Sequence, residues 1–221
     1  AEQTAEVAEV EAAWGRRPVE WLLSNHAVDK NWCLIHATQT LAGEIAMMAQ
    51  SGAVVGLCPI TESNLGDGIF DAVSLAGEGG VFGVGSDSNV QISLPAELRT
   101  LEYSQRLHRH GRAMLATEQA STGRVLFDNA IKGGAQAVGR TSGAIAPGLL
   151  ADLVALDADG IDLFDKTDDA ILDSWIFATT ENIVSQVWSA GRHVVVDGQH
   201  KARPHIARRY RKTLQDLKGR L

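Results

Sequence analysis

Cysteine is almost missing from this chain: among its 221 residues only Cys33 and Cys58 occur. Both lie inside apolar runs, the pattern of reduced, buried thiols in a cytosolic protein rather than of a bridge between them. No apolar run approaches the ~18 residues that a membrane span requires, so no membrane role is expected. The first residues have neither a basic start nor an apolar signal core. Positive charge is in deficit: Lys and Arg number 20 against 27 acidic residues, a net charge of −7. That excludes a general nucleic-acid or anionic-membrane binder. No G-x-G-x-x-G follows any apolar run, which argues against a dinucleotide site; Gly83 and Gly85 have no third glycine to complete one. There is no internal repeat longer than a strand–helix unit and no low-complexity tract. There is no initiator methionine either, and the chain is expected to begin inside a longer protein.

What is present is a regular alternation. Residues from Thr4 to about Trp14 read as a helix, and Pro18 suits the first turn of a second. Apolar runs then begin near residues 32, 53 and 81, each followed by a helical pattern. Leu41, Ile45 and Met48 mark one such helix, which Ser51-Gly52 closes. Short apolar runs between helices at this pitch predict a parallel α/β sheet, either half of a barrel or an open sheet. Ile60 to Gly68 reads as a polar loop. After about Ala120 the texture changes. A helix over Val125 to Val138 contains Gly133-Gly134. A strand over Ala151 to Asp157 and a polar, Asp-rich loop to Asp169 follow. Ile183 to Trp188 and His193 to Val196 flank a hairpin turn at Ala190-Gly191-Arg192. From His205, the residues Ile206, Tyr210, Leu214, Leu217 and Leu221 share one helical face.

Three polar groups fall at or beside predicted strand ends: Glu2, His36 and Asp87. Val81 to Ser86 is a short buried strand, and Asp87 sits where it opens into a loop. In a barrel that edge carries the chemistry. Taken singly, Glu2 reads as a frayed terminal acid, His36 as a hydrogen-bonded core histidine and Asp87 as a turn residue. Taken together, two carboxylates and an imidazole suit metal-assisted hydrolysis, in which a metal activates water and acid–base groups move its protons.

Several segments resemble one family. Ser86-Asp87-Ser88, the strand ending in His36, Cys58 with the following Thr61 to Phe70, Leu94 to Leu107, and Gly143 to Val154 are similar to the amidohydrolase superfamily. Within it they look most like the formimidoylglutamate deiminases of histidine degradation. The resemblance covers nearly the whole chain. It implies an α/β fold: the C-terminal half of a TIM-like (β/α)8 barrel over residues 1–136, a small β-sandwich module over 137–200 and a C-terminal helix over 201–221.

The resemblance also implies site roles. Ala1-Glu2-Gln3 matches the end of a His-x-x-Glu motif, which makes Glu2 the proton carrier at the substrate nitrogen. His36 matches the histidine that polarises the attacked centre. Asp87 matches an aspartate that binds zinc and accepts the proton of water. The other zinc ligands of the family would lie upstream of residue 1. The implied activity is hydrolytic deamination of N-formimidoyl-L-glutamate, a small-molecule substrate, by a cytoplasmic homodimer. The alternatives are a guanine or other aromatic-amine deaminase of the same superfamily, and a metal-free, non-catalytic paralogue.

Overall fold

The computed structural model describes residues 1–220; Leu221 lies outside them, and with it one expected member of the last helix's apolar face. Two helices come first, α1 (Thr4–Trp14) and α2 (Pro18–Asn25), the second with its proline in the first turn as expected. Three short strands, β1 (Cys33–Ile35), β2 (Val54–Leu57) and β3 (Val81–Val84), then pair in parallel in the order β1-β2-β3. Leu34 lies opposite Val55, and Val55 opposite Phe82. Parallel neighbours need a crossover. Helix α3 (Ala42–Ser51) joins β1 to β2, and α4 (Pro59–Leu65) with α5 (Ala72–Gly77) joins β2 to β3. Val54, Val55, Leu57 and Phe82 are fully buried, as befits a sheet covered on both faces.

Helix α6 (Leu94–Arg109) starts at Ser93, whose hydroxyl accepts the Ala96 N–H. Helix α7 (Thr122–Ala137) starts at Ser121, whose hydroxyl accepts the Arg124 N–H. Beyond α7 lies a separate antiparallel sheet in the order β4-β5-β6-β7, made of β4 (Leu153–Leu156), β5 (Val184–Ser189), β6 (Arg192–Val196) and β7 (Gln199–His200). Between β4 and β5 the chain returns to the helical layer. There α8 (Asp169–Asp173) and a π-helical turn at Ser174–Ala178 pack on α7 and α6. Arg99 of α6 donates to the carbonyls of Ile176 and Thr179 at 2.6 and 2.9 Å, holding the end of that turn. Helix α9 (Arg203–Lys218) ends the described chain. Among the described residues no helix is long and apolar enough to cross a membrane.

The structure overturns two expectations and adds two elements that none covered. Ile60 to Gly68 is not a loop: α4 occupies most of it. Pro59 starts the helix, Glu62 accepts the Cys58 N–H, and Gly66 at φ +77° stops it, so backbone bonding outweighs the polar composition. The region after Asp169 is helical because Ile171, Leu172, Trp175 and Ile176 bury against α6 and α7. A second tight turn at Asp197-Gly198 adds the short β7. Of the two free thiols, Cys58 is buried but Cys33 only partly so. The stripe Ile206, Tyr210, Leu214 and Leu217 does share a face of α9, and all four residues are exposed.

Gly133 explains how α7 reaches the sheet. A Cβ there would collide with the carbonyl of Phe82 in β3, and a Cβ on Gly83 would meet the Gly134 amide nitrogen at 3.2 Å. The helix and strand backbones therefore touch directly. Gly133→Ala is expected to destabilise the full-length protein by about 1–3 kcal/mol through overpacking. Gly134→Ala, where a Cβ meets nothing within 4 Å, leaves stability unchanged or slightly raised. Urea unfolding of the two variants checks the contrast.

Glu97 of α6 faces α4. Its Oε2 accepts the Ile60 N–H at 2.9 Å, and its buried Oε1 has no partner among the described residues. Burial pushes the carboxyl up to about 7; the Ile60 hydrogen bond opposes that rise and the charge of Glu62 adds to it. Between the ordinary carboxylate value and 7 the folded state thus binds the extra proton, so stability falls as pH rises through that window. Glu97→Gln removes this loss, which amounts to about 3 kcal/mol at most. The stability of the variant relative to the parent is expected to increase from pH 5 to pH 8, followed by urea unfolding; a constant difference refutes the assignment.

Candidate active site

The chain leaves β1 in an unusual backbone conformation. His36 and Ala37 have φ of +62° and +51°. Consecutive non-glycine residues in the left-handed region cost on the order of 1–3 kcal/mol each and persist only where the surroundings hold them. Here the His36 N–H donates to the Gly56 carbonyl at 2.7 Å and the Ala37 N–H to the Ile35 carbonyl at 2.9 Å. The turn places the largely buried His36 ring between two carboxylates. Its Nδ1 lies 3.2 Å from Glu62 Oε1 and its Nε2 lies 3.7 Å from Glu2 Oε1.

Glu2 reaches the ring because the chain start runs beside the segment after β1. The Gln39 N–H donates to the Ala1 carbonyl at 3.0 Å. Glu6 Oε2 accepts the N–H groups of Glu2 and Gln3, both at 3.1 Å, and fixes the start of α1. Burial raises the Glu2 carboxyl above its ordinary value; the His36 ring opposes the rise and the neighbouring Asp67 carboxyl adds to it. Asp67 Oδ2 is itself buried without a hydrogen-bond partner among the described residues. A raised carboxyl holds its proton more readily, which suits a general acid.

Glu62 is the most enclosed member. Its Oε1 accepts the Cys58 N–H at 2.8 Å and faces His36 Nδ1. Burial raises its carboxyl, and these two contacts pull it back. The Cys58 thiol beside it is pushed up to about 12, first by burial and then by the charges of Glu62, Asp87 and Glu97. Atoms of His36, Cys58 and Glu62 lie within 4.8 Å of one another, a spacing that suits a metal. The chemistry does not favour one: Glu62 Oε1 is already engaged twice, and a thiol raised to about 12 resists becoming the thiolate that a metal binds. The three form a hydrogen-bonded cluster.

Asp87 stands on the same edge of the sheet, close enough for its charge to reach Cys58. It has φ +41° and an exposed side chain. Its neighbours are anchored: Thr61 Oγ1 donates to the Ser86 carbonyl at 3.3 Å and lies 3.0 Å from Ser88 Oγ. Among the described residues no hydrogen bond joins Asp87 to Glu2 or His36. Of the three residues singled out from sequence, Glu2 and His36 thus meet, and Asp87 flanks them. Sequence reasoning passed over Glu62, Asp67 and Glu97 as site members. For Glu62 a signal existed: a carboxylate four residues after a Cys-Pro helix start, where it can reach back to a free amide. Asp67 and Glu97 gave none.

Residues 1–194 match the amidohydrolase family. A formimidoylglutamate deiminase from Pseudomonas aeruginosa is 48% identical over 218 residues, which is 98% of this chain and 48% of that protein. The crystal structure of an amidohydrolase from Brucella melitensis superposes with a TM-score of 0.93 at 47% identity, covering 98% of this chain and 48% of that one. An adenosine deaminase from Xanthomonas campestris, crystallised with bound zinc, superposes with a TM-score of 0.82 at 26% identity, covering 97% of this chain and 49% of the other. The chain spans about half the length of the relatives it matches. A family match over residues 1–194, joined to a shared fold and to near one-half identity with two relatives, means that this chain belongs to the amidohydrolase family.

Proposed function

We propose that this chain is the C-terminal part of a zinc-dependent deiminase that hydrolyses N-formimidoyl-L-glutamate to N-formyl-L-glutamate and ammonia. The observation that supports it most is the Glu2–His36 pairing beyond the end of β1, in a chain 48% identical over nearly its whole length to a protein of that name. In this reading β1, β2 and β3 are the last strands of a (β/α)8 barrel whose remainder lies upstream. Residues 137–200 supply the strands of the small β-sandwich module, apart from the 169–178 segment that packs on α6 and α7, and α9 is the C-terminal helix. The whole enzyme is a cytoplasmic homodimer.

Asp87 fits a zinc ligand: its loop is pinned through Ser86 and Ser88, and its own carboxylate is exposed and takes no part in that pinning. The remaining ligands are expected upstream. Bound zinc supplies the Lewis acidity that makes water a nucleophile at neutral pH. Asp87 accepts the proton that the water gives up as it attacks the formimidoyl carbon. His36, through Nε2, stabilises the charge that builds at the attacked centre. Glu2, whose carboxyl is raised by burial and, after the opposing His36, by Asp67, gives a proton to the nitrogen that leaves as ammonia. A ring-amine deaminase needs similar groups, and the zinc-bearing adenosine deaminase neighbour favours it as the second reading. It ranks lower at 26% identity against 48%.

Ammonia release by the full-length protein is expected with N-formimidoyl-L-glutamate and not with guanine or adenosine; the reverse preference transfers the assignment to the second reading. Asp87→Ala is expected to remove bound zinc and nearly all activity. Glu2→Gln and His36→Asn each lower turnover by ~10²–10⁴ with zinc retained. Because both act on one step, the double variant falls well short of the product of the two losses. Metal analysis alongside steady-state kinetics decides; normal turnover in Glu2→Gln discards the mechanism.

A further inference from the structure

The buried carboxylates of this chain fall into two groups. Glu44 is paired with Arg17 at 2.9 Å, across from α3 to the start of α2, and Glu102 with Arg106 at 2.7 Å within α6. Glu62 has no arginine or lysine partner among the described residues. It is held instead by the Cys58 amide at 2.8 Å, and its one side-chain partner is His36 Nδ1 at 3.2 Å. A buried carboxylate is costly unless it is hydrogen-bonded. Here the partner is a ring whose other nitrogen faces the reaction side, toward Glu2. The backbone of His36, at φ +62°, is locked by the Gly56 carbonyl and leaves the ring only its side-chain torsions to fix.

From this geometry we infer that Glu62 is the positioning residue of His36: its carboxylate holds the Nδ1–H, so that Nε2 is the nitrogen presented to the substrate. The inference rests on the functional reading above. A second-rank acceptor of this kind sets the tautomer and orientation of an imidazole and sustains the charged ring while it stabilises opposite charge. The turn that carries Glu62 is held at two amides. The Cys58 amide fixes Oε1, and Glu97 fixes the next amide of the same turn, Ile60. The first turn of α4 thereby becomes a rigid seat for the histidine partner, built at the end of β2 rather than on the strand that carries His36.

The test uses the full-length enzyme loaded with zinc and N-formimidoyl-L-glutamate as substrate. Glu62→Gln is expected to lower kcat by about 10–10²-fold, with KM and zinc content close to those of the parent. Glu62→Asp, which keeps the charge one methylene further away, falls between. In a His36→Asn background neither substitution costs anything further, because the ring they position is gone. A merely structural role predicts the same loss in both backgrounds, and that result overturns the proposal. So does a Glu62→Gln enzyme with full kcat. If Glu62→Gln fails to fold, the Glu62→Asp pair answers the same question. Failure of the functional reading is seen separately, as absence of turnover in the parent protein. The placement is then read from the ¹⁵N signals of histidine-labelled protein, with His36→Asn giving the assignment. An Nδ1 protonated in the parent and not in a Glu62→Leu variant upholds it; an Nδ1 indifferent to Glu62 refutes it.

Discussion

Parallel strands cannot be joined by a tight turn, so the pairing of Leu34 with Val55 and of Val55 with Phe82 each waits on a helical crossover. The strands are only three and four residues long. Their register is set by buried side chains rather than by length, since a slip by one residue would turn Val54, Val55 and Phe82 to the wrong faces. Once the register is set, the three strands end together. His36 follows β1, Cys58 follows β2 and Asp87 comes soon after β3, all on one edge of the sheet. The direct backbone contact at Gly133 seats α7 against β3.

That edge concentrates negative charge that the chain does not neutralise with cations. Glu2, Asp67, Glu62 and Glu97 have backbone amides, one another and a single imidazole for company. Away from the edge, buried acids take arginines. Burial is what chiefly raises the carboxyls of Glu2, Glu62 and Glu97 and the thiol of Cys58, and the neighbouring acids add to it. Perturbation by burial together with a specific partner is a mark of sites that move protons. Desolvation and like charge therefore act together at this edge.

The alternation of apolar runs made the parallel layer readable, because parallel strands covered on both faces are apolar throughout and helices between them are not. Asp87 and His36 were readable as strand-end residues for the same reason, and the family resemblance gave them roles. The segment around Glu62 was misread as a loop. Its composition is polar, and only the reach of Glu62 to the Cys58 amide shows why a polar stretch is helical. The return of Asp169–Ala178 to the helical layer depends on contacts with α6 and α7, distant in sequence, and no local pattern announces such contacts. Asp67 and Glu97 matter because they are buried, and burial is a property of the packed fold.

The left-handed backbone at His36 also limits what can replace it. At φ +62° a β-branched side chain clashes with its own backbone, whereas glycine, asparagine and aspartate sit there at little cost. Conformation alone therefore restricts position 36 to a short list of residue types, before any chemistry is considered. A valine or isoleucine able to line an apolar pocket would first require the turn after β1 to be rebuilt. The loop after β3 carries the same restriction at Asp87 and Asn89, at φ +41° and +57°, although its anchors to α4 lie at the neighbouring Ser86 and Ser88.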